Sequence, residues 1–308
     1  MVVHDGLVLP ESFKWHLAPR LPNNRLNEFD SRWARFRRPP GEPVELEGAF
    51  YYLDYKNTGH YGHLMVEALP KLWGWERAKS EVPGLRLLRR PTPRPQYPDP
   101  TNEVLHAFGI TEEEIVTVTG PVRVTTLFGA TPMIHAKQPY HAHPDVRLVW
   151  DRLRSGLLAS GPVAPRPSRI FVTRRGGQRF CRNVDEVEAL FAAAGFTIVQ
   201  PELFTRPEQV ALFADVEVVA GFGGTGLFNL MFSTRSPRVI VLNHDAYDAR
   251  NEHVITAVLG SDIHYFWSRA DISHPEGRFS KHAFRSSWEF DMEANRAALV
   301  DLLDSLRD

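Results

Sequence analysis

The chain has 308 residues, of which 43% are hydrophobic and 24% are charged, a composition typical of a globular enzyme. Its length favours two domains over a single core. Lys and Arg together number 36 against 37 acidic residues, so the net charge gives no reason to expect a nucleic-acid partner.

Three features of the sequence bear on the compartment. Residues 1–15 contain neither a basic region nor a long apolar run, so we predict no signal peptide. No stretch approaches the roughly 18 apolar residues that indicate a membrane span. Cys181 is the single cysteine and cannot form an internal disulfide, so the fold needs no oxidising compartment. We therefore expect a cytoplasmic protein.

The N-terminal half begins with a proline-rich arm over residues 1–45, for which we predict irregular structure. A strand is predicted at 44–55, followed by a helix that extends to about Lys79. Pro70 must kink this helix or begin a second one, because proline lacks an N–H donor and clashes with the preceding turn. Further elements of this half are predicted as strands at 84–90, 115–120 and 123–130 and as a helix at 101–110.

The C-terminal half shows strands and helices in alternation. Prolines and serines between 160 and 168 indicate a linker. Strands are predicted at 169–175, 196–201, 216–222 and 238–243, and a last helix with buried leucines at 292–307. Alternation with short connections predicts a parallel sheet with right-handed crossovers, a Rossmann-like lobe.

Two helices of this half have recognisable start signals. Asn183 followed by Glu186 resembles a capping box. Thr205, Pro207 and Glu208 supply an N-cap, a proline in the first turn and the glutamate of a second box.

Ligands of open α/β sheets bind outside the carboxyl ends of the strands, where the first of three candidate loops carries arginines. Arg174, Arg175, Arg179 and Arg182 lie between a strand end and the helix start at Asn183. Guanidinium groups and free helix N–H groups both suit a diphosphate. We predict an anion site, and the alternative is a set of solvated surface arginines.

The second loop is rich in glycine. Its spacing, G-x-G-G-x-G from residue 221, lets a ligand approach the backbone but is not the dinucleotide fingerprint. A tight turn without a ligand would look similar. The donor-binding candidates in this segment are Gly223, Gly224, Thr225, Gly226 and Asn229.

The third loop begins where a strand ends at Asn243, His244 and Asp245. His244 is a candidate ligand contact, and the alternative is an Asx turn.

These motifs together resemble those of family 61 glycosyltransferases, over residues 57–79 and 168–243. In "GHYGHLMVEALPKLW", a histidine, a carboxylate four residues later and a Leu-Pro-basic-apolar run recur. In the second half, an arginine-rich strand end, an Asn-acidic helix start, a Gly-Phe junction, a Glu-Gln pair and a glycine loop ending in Leu-x-Asn recur. One departure is Gly223, where family members often have histidine.

The resemblance implies an α/β fold of GT-B type, with two Rossmann-like lobes whose parallel sheets face a cleft. It implies an acceptor-side lobe at 1–166, a nucleotide-sugar-binding lobe at 167–285, and a C-terminal helical segment at 286–308 that packs back on the N-terminal lobe.

The resemblance also implies an inverting transfer from a nucleotide-sugar donor to a hydroxyl of a glycan or lipid-linked saccharide acceptor, as in polysaccharide synthesis, with no further cofactor. The sequence has no Asp-x-Asp motif for a metal-bound diphosphate, so we expect metal independence. His63 matches the family histidine and is the candidate base, because an imidazole with an unperturbed pKa of about 6.5 suits proton transfer at neutral pH. Glu67 would orient the imidazole or bind acceptor hydroxyls, and His60 is a second candidate base.

Other interpretations remain open. His63 could instead cap the helix or make a core hydrogen bond. The same fold serves sugar-nucleotide epimerases and pyruvyl transferases, and the departure at Gly223 leaves room for a non-catalytic glycan-binding or assembly protein.

Two further features lie outside these motifs. The "HAHPD" segment, with His141, His143 and Asp145, could hold a metal or be a solvated loop. The basic runs at 31–38 and 86–90 could contact an anionic acceptor or the inner face of a membrane, or form a solvated face.

Overall fold

A computed structural model describes residues 1–4, 7–8, 26–28, 34–55, 58–92, 99–135, 140–161 and 167–306. The chain divides into two compact units, Met1–Gly156 and Leu157–Asp308. This division lies before the predicted linker, part of which falls outside the described residues, as does much of the proline-rich arm.

The strands of the first unit are β1 (Val3–His4), β2 (Leu7–Val8), β3 (Leu26–Glu28), β4 (Ala34–Phe36), β5 (Val44–Tyr52), β6 (Arg86–Arg89), β7 (Ile115–Thr117), β8 (Val122–Phe128), β9 (Ile134–His135) and β10 (His141–Ala142). They form a parallel sheet in the order β7-β6-β5-β8, a small antiparallel sheet in the order β1-β2-β4-β3 and the hairpin β9–β10. The predicted strands of this half are therefore confirmed. Strand β5 lies where the order of the parallel sheet reverses, with β6 on one side and β8 on the other.

The helical segment after β5 changes its hydrogen-bonding pattern three times. It comprises α1 (Tyr61–His63), a π-helical stretch (Leu64–Ala68), a 3₁₀ helix (Leu69–Gly74) and α2 (Trp75–Glu81). The N–H of Leu69 donates to the carbonyl of Leu64, five residues back, and Pro70 lies in the first turn of the 3₁₀ helix. The prediction that Pro70 interrupts the helix is confirmed, since proline cannot continue the α-helical ladder.

Over its described residues, the first unit contains two further α-helices, which pack closely on each other, and a 3₁₀ turn. They are α3 (Pro100–Ala107), a 3₁₀ turn (Glu112–Glu114) and α4 (Val146–Ala159), the last of which runs past the division between the units. Asp99 caps α3 by accepting a hydrogen bond from the Thr101 N–H at 3.0 Å. A Cβ atom on Gly156 would fall on the carbonyl oxygen of Ala107, so α4 lies against the backbone of α3 at this glycine.

The strands of the second unit are β11 (Arg169–Val172), β12 (Thr197–Val199), β13 (Val218–Phe222), β14 (Arg238–His244) and β15 (Ile263–Ser268). They form a parallel sheet in the order β12-β11-β13-β14-β15. The order reverses between β11 and β13, as in doubly wound folds of the flavodoxin type, whose ligands bind at this switch point. The predicted strands are confirmed, and β15 was not predicted.

Helices connect these strands. They are α5 (Val184–Ala193), a 3₁₀ turn (Pro201–Leu203), α6 (Arg206–Ala214), a 3₁₀ helix (Thr225–Phe232), α7 (Asn251–Leu259), α8 (Lys281–Phe284) and α9 (Met292–Asp304). The capping box of Thr205 and Glu208 is confirmed. The box predicted at Asn183 is wrong, because this side chain makes no cap hydrogen bond and instead contacts the backbone of Phe290.

The C-terminal helix belongs to the core of the second unit. Leu299, Leu303 and Leu306 are buried in one cluster with the side chains of the sheet, among them Phe171 and Ile240. These leucines therefore lie on the sheet of their own unit, and packing of residues 286–308 on the N-terminal lobe stays a prediction. In the part of the chain that the structure describes, no helix is long and apolar enough to cross a membrane.

Replacing Gly156 with alanine tests the close packing of α3 and α4. Helix propensity alone predicts a gain of about 1 kcal/mol from this change. Because the added methyl group would collide with the Ala107 carbonyl, we expect the free energy of unfolding to fall by about 1–3 kcal/mol. Urea denaturation measures it. Gly84→Ala, where nothing lies within 4 Å of the added atom, is the control, and a stabilised Gly156→Ala protein would contradict the packing.

Candidate functional site

Two arginines converge on the glycine loop at the switch point of the second unit. Arg174 follows β11, Gly223 and Gly224 follow β13, and the Arg174 Nη2 donates to the Gly223 carbonyl at 3.2 Å. A Cβ atom on Gly224 would lie 2.5 Å from Nη2 of Arg174 and 3.0 Å from Nη2 of Arg179. Both guanidiniums therefore pass over the α-carbon of Gly224, where no side chain fits.

The backbone of Arg179 is held in an uncommon conformation. Its φ of 61° is left-handed, which costs a residue other than glycine about 1–2 kcal/mol. Two hydrogen bonds fix it, because the Arg179 N–H donates to the Arg285 carbonyl at 3.2 Å and the Trp288 indole donates to the Arg179 carbonyl at 3.1 Å. The guanidinium carbon lies 3.9 Å from the centroid of the Tyr247 ring. The position of Arg179 thus depends on segments about a hundred residues further along the chain.

The two guanidiniums place positive charge in a partly dehydrated environment. Burial, followed by the charge of Arg179, lowers the pKa of Arg174 to about 10, so its side chain stays charged at neutral pH. The Nη1 of Arg179 is buried and has no hydrogen-bond partner among the described residues. Buried charge without a partner is unfavourable. The pair therefore favours binding of an anion.

Glu252, at the start of α7, contacts the same loop from within the core. Its side chain is 0% exposed, and Oε1 accepts a hydrogen bond from the Gly224 N–H at 2.5 Å. Oε2 has no partner in the described part of the chain. Burial raises the pKa of Glu252 to about 7, although Arg179 and Arg174 act in the opposite direction. The carboxylate is therefore only partly ionised near neutral pH and neutralises the arginines incompletely.

His244, at the end of β14, is also buried near this cluster. It is 0% exposed, and neither ring nitrogen has a hydrogen-bond partner within the described residues. Burial, and next the charge of Arg179, lowers the pKa of His244 to about 4, so the imidazole is neutral at pH 7. Its ring centroid is 5.9 Å from that of Trp288. His244 thus brings a neutral polar group to the site.

The other predicted arginines lie elsewhere. Arg175 forms ion pairs with Glu188 and Asp185, both on α5. Arg182 pairs with Asp271 and with Glu289. These guanidiniums hold the loop against its neighbours and do not join Arg174 and Arg179.

Asn183 has a similar structural contact. Its Nδ2 donates to the Phe290 carbonyl at 3.0 Å, and its Oδ1 accepts from the Phe290 N–H at 2.9 Å. The side chain therefore ties the arginine loop to the C-terminal segment.

The remaining positions of the glycine loop pack against their neighbours. A Cβ atom on Gly223 would lie 2.7 Å from Nδ2 of Asn243, so the asparagine fills the space where a side chain at residue 223 would start. A Cβ atom on Gly226 would lie 2.9 Å from Val172. Asn229 is buried and donates to Gln209 Oε1 at 3.2 Å. The amide of Asn243 thus leaves no room for a side chain at residue 223.

Thr225 begins the 3₁₀ helix that follows the loop and is partly exposed. Apart from the glycines, Thr225 is therefore the residue of this loop that a ligand can reach.

In the first unit, His63 and Glu67 form a hydrogen-bonded pair beyond the carboxyl end of β5. His63 Nδ1 lies 2.7 Å from Oε1 of Glu67, and the side chains are 31% and 18% exposed. The ring of His60 lies 4.9 Å away, nearly perpendicular to that of His63. His60 itself is exposed. The partial exposure of His63 does not fit a core histidine.

A buried lysine supports the helix that carries this pair. Lys71 Nζ donates to the Asp54 carbonyl at 3.1 Å, and the Lys71 carbonyl accepts from the Tyr51 hydroxyl at 2.5 Å. Burial lowers the pKa of Lys71, against the effects of Asp54 and Glu67. Lys71, which sequence reasoning did not select, thus places a cation close enough to influence Glu67.

Two arginines of the basic run at 86–90 form ion pairs within the protein. Arg89 pairs with Asp99 at 2.5 Å, and Arg90 pairs with Asp54 at 2.7 Å. Of the other run, residues 31–33 lie outside the described residues.

The "HAHPD" segment lies in and after the β9–β10 hairpin. His141 stacks on His135 with centroids 5.4 Å apart, and His143 Nδ1 accepts from the Asp145 N–H at 3.2 Å. Within the ranges that the structure describes, no group of three or more His, Cys, Asp and Glu side chains could hold a metal ion.

The two parallel sheets and the residues at their switch points define an α/β protein with an arginine pair in its second unit and a histidine–carboxylate pair in its first. The chain matches the family Glycosyltransferase 61 over residues 61–241, from α1 into β14. Because this match covers more than half of the chain, the protein belongs to the glycosyltransferase 61 family, and membership supports transferase activity. No curated protein matches the chain.

The variant Glu252→Gln tests the buried carboxylate through the pH dependence of stability. Folding raises the pKa from 4.5 to about 7, so the native state binds this proton more tightly than the unfolded state. The contribution of Glu252 to the free energy of unfolding is therefore largest below pH 4.5 and is lost as the pH rises through about 7. Glutamine keeps an acceptor for the Gly224 N–H without titrating. Between pH 4.5 and about 7, we expect the free energy of unfolding of the variant to rise by roughly 3 kcal/mol relative to that of the wild type.

The measurement is urea unfolding of both proteins at several pH values. His244 acts in the opposite sense, since its pKa is lowered from 6.5 to about 4 and stability is lost as the pH falls through that interval. Because both proteins contain His244, its titration and that of other shared groups cancel when the free energy of unfolding of the wild type is subtracted from that of the variant. Glu276→Gln, at an exposed position, controls for the loss of one carboxylate. A difference between variant and wild type that is constant with pH would refute the assignment.

Proposed function

We propose that the protein is an inverting, metal-independent glycosyltransferase that moves a sugar from a nucleotide-sugar donor to a hydroxyl of a glycan acceptor. One observation carries the proposal. In a chain of the glycosyltransferase 61 family, Arg174 and Arg179 converge over Gly224 at the switch point of a doubly wound sheet. This is where such folds bind ligands, and the charge suits a diphosphate.

In this proposal the second unit binds the donor. Arg174 and Arg179 contact the diphosphate and stabilise the negative charge that grows on the leaving group. The positive φ of Gly224 and its lack of a side chain allow the phosphates to approach the backbone. The two guanidiniums would supply the charge that a divalent cation supplies elsewhere, which is the basis for proposing metal independence. His244 and Thr225 are proposed as further polar contacts to the donor.

The first unit would supply the base and bind the acceptor, as in enzymes of GT-B type. With Nδ1 of His63 engaged by Glu67, Nε2 is the nitrogen that takes the acceptor proton. The Glu67 carboxylate stabilises the imidazolium that results. His60 is the alternative base, since its ring adjoins that of His63.

The reaction is a single displacement. The acceptor oxygen bonds to the anomeric carbon from the face opposite the leaving group, while the bond between that carbon and the diphosphate oxygen breaks. The acceptor proton passes to His63, and the electron pair of the broken bond remains on the nucleoside diphosphate. No covalent sugar–enzyme intermediate forms, so the configuration inverts.

The first test of this proposal is the effect of single arginine substitutions on nucleotide binding. Arg174→Ala should weaken binding of UDP and GDP by about 10- to 100-fold, because a hydrogen bond to a charged group contributes about 1.5–3 kcal/mol. Arg175→Ala is the matched control in the same loop. Its guanidinium is paired with acids of α5, and its loss should change the affinity by less than about threefold.

Isothermal titration calorimetry measures both variants. Unchanged affinity in Arg174→Ala, or equal losses in the two variants, would count against the diphosphate site. If the wild-type protein bound none of UDP, GDP and their sugar derivatives, the proposal of a nucleotide-sugar donor would be wrong.

The second test concerns the base. His63→Ala should lower kcat by about 100- to 10,000-fold, the usual contribution of a general base, with little change in donor KM. His60→Ala is the matched control one helical turn away. The assay is transfer to a panel of oligosaccharide acceptors, with thermal unfolding to show that both variants fold.

The products separate the competing functions. Full activity in His63→Ala, with loss in His60→Ala, would reassign the base. An epimerised sugar nucleotide formed without an acceptor would favour an epimerase instead. A pyruvylated product would favour a pyruvyl transferase, and binding without turnover would favour a non-catalytic protein.

A further inference from the structure

A continuous series of aromatic rings runs from the arginine pair to the protein surface. The Arg179 guanidinium carbon lies 3.9 Å from the Tyr247 centroid and 6.0 Å from that of Phe284. Phe284 is 4.8 Å from Tyr247 and 5.6 Å from Phe279. Tyr247 is buried, whereas Phe279 is 66% exposed. The series therefore connects the proposed diphosphate site to an exposed ring.

The exposed ring is held in place by its neighbours. The ring of His274 lies 5.4 Å from that of Phe279. His274 Nδ1 accepts from the Ser280 N–H at 3.0 Å, and Nε2 lies 3.0 Å from the carbonyl of Ala246, the residue before Tyr247. Isolated exposed apolar side chains are common and need no explanation. Phe279 differs because two aromatic contacts and an anchored loop fix it beside a charged site.

The spacing fits a nucleotide. The Arg179 guanidinium carbon lies 6.0 Å from the Phe284 centroid, which lies 5.6 Å from that of Phe279, so these two steps set an upper limit on the distance from Arg179 to the Phe279 ring. In a nucleoside diphosphate the ribose and the first phosphate separate the base from the second phosphate by a comparable length. A nucleotide whose phosphates contact Arg174 and Arg179 can therefore bring its base to Phe279.

We propose that Phe279 stacks on the base of the donor nucleotide whose diphosphate Arg174 and Arg179 bind, an inference that rests on the proposed function. Stacking on an aromatic side chain uses the π-face that every base has. Phe279 thus contributes affinity for purine and pyrimidine nucleotides alike and does not by itself select between them. Tyr247 and Phe284 act as positioning residues, because they lie between the ring and the guanidinium.

The test compares nucleoside diphosphates with inorganic pyrophosphate, which has the charge but no base. Calorimetry of the full chain with UDP, GDP and pyrophosphate gives three affinities for each protein. Phe279→Ala should weaken UDP and GDP by about 5- to 100-fold and leave pyrophosphate unchanged. Ile272→Ala, which removes an exposed aliphatic side chain of the same segment, is the matched control and should leave all three affinities unchanged.

A second variant keeps the test independent of any loss of structure. Phe279→Trp retains a stacking ring and should bind UDP and GDP at least as tightly as the wild-type protein. Its added tryptophan fluorescence, measured against the wild-type background, should be quenched by both nucleotides and not by pyrophosphate.

Several outcomes would overturn the inference. Unchanged nucleotide affinity in Phe279→Ala excludes stacking, and an equal loss for pyrophosphate indicates that Phe279 merely supports the loop. Wild-type protein that binds pyrophosphate as tightly as UDP and GDP does not recognise the base, although the diphosphate site would stand. Wild-type protein that binds none of the three contradicts the proposed function itself.

Discussion

The approach of two guanidiniums over a single glycine is the constraint on which the second unit depends. Arg174 and Arg179 would both collide with a side chain on Gly224, and two like charges removed from water are unfavourable unless negative charge faces them. Glu252 lies against the same loop, but burial raises its pKa to about 7 and leaves it only partly ionised. Within the described residues the buried Nη1 of Arg179 has no hydrogen-bond partner, and an anionic ligand would supply the missing negative charge.

This arrangement relies on segments far apart in the sequence. The left-handed backbone of Arg179 is fixed by the Arg285 carbonyl and the Trp288 indole. The same segment bonds to Asn183 through Phe290 and continues into α9, whose leucines lie in the core on the sheet. The C-terminal segment, anchored by its hydrophobic burial, therefore holds the otherwise unfavourable backbone conformation of Arg179 in place.

Local patterns predicted most of the second unit and part of its site. Apolar runs and helix-start signals predicted β11 to β14, and placed Arg174 and Gly224 at neighbouring strand ends. They could not separate Arg174 from Arg175, because the difference depends on Glu188, which a later helix brings to Arg175. Glu252 gives no signal either, since a single acid at a helix start is common, and its partner Gly224 is 28 residues away. Contacts of this kind follow from tertiary structure and not from spacing.

In the first unit, too, the proposed site residues follow a strand at which the order of the parallel sheet reverses. His63 follows β5, where the order of the parallel sheet reverses, as Arg174 follows β11 at the reversal in the second unit. Pro70 cannot continue an α-helix, and the chain ahead of it widens into π-helical turns that contain Glu67. The hydrogen bond between Glu67 and His63 is therefore made within the irregular turn that the proline imposes. The residue that interrupts the helix thus also shapes the segment that holds the proposed acid–base pair.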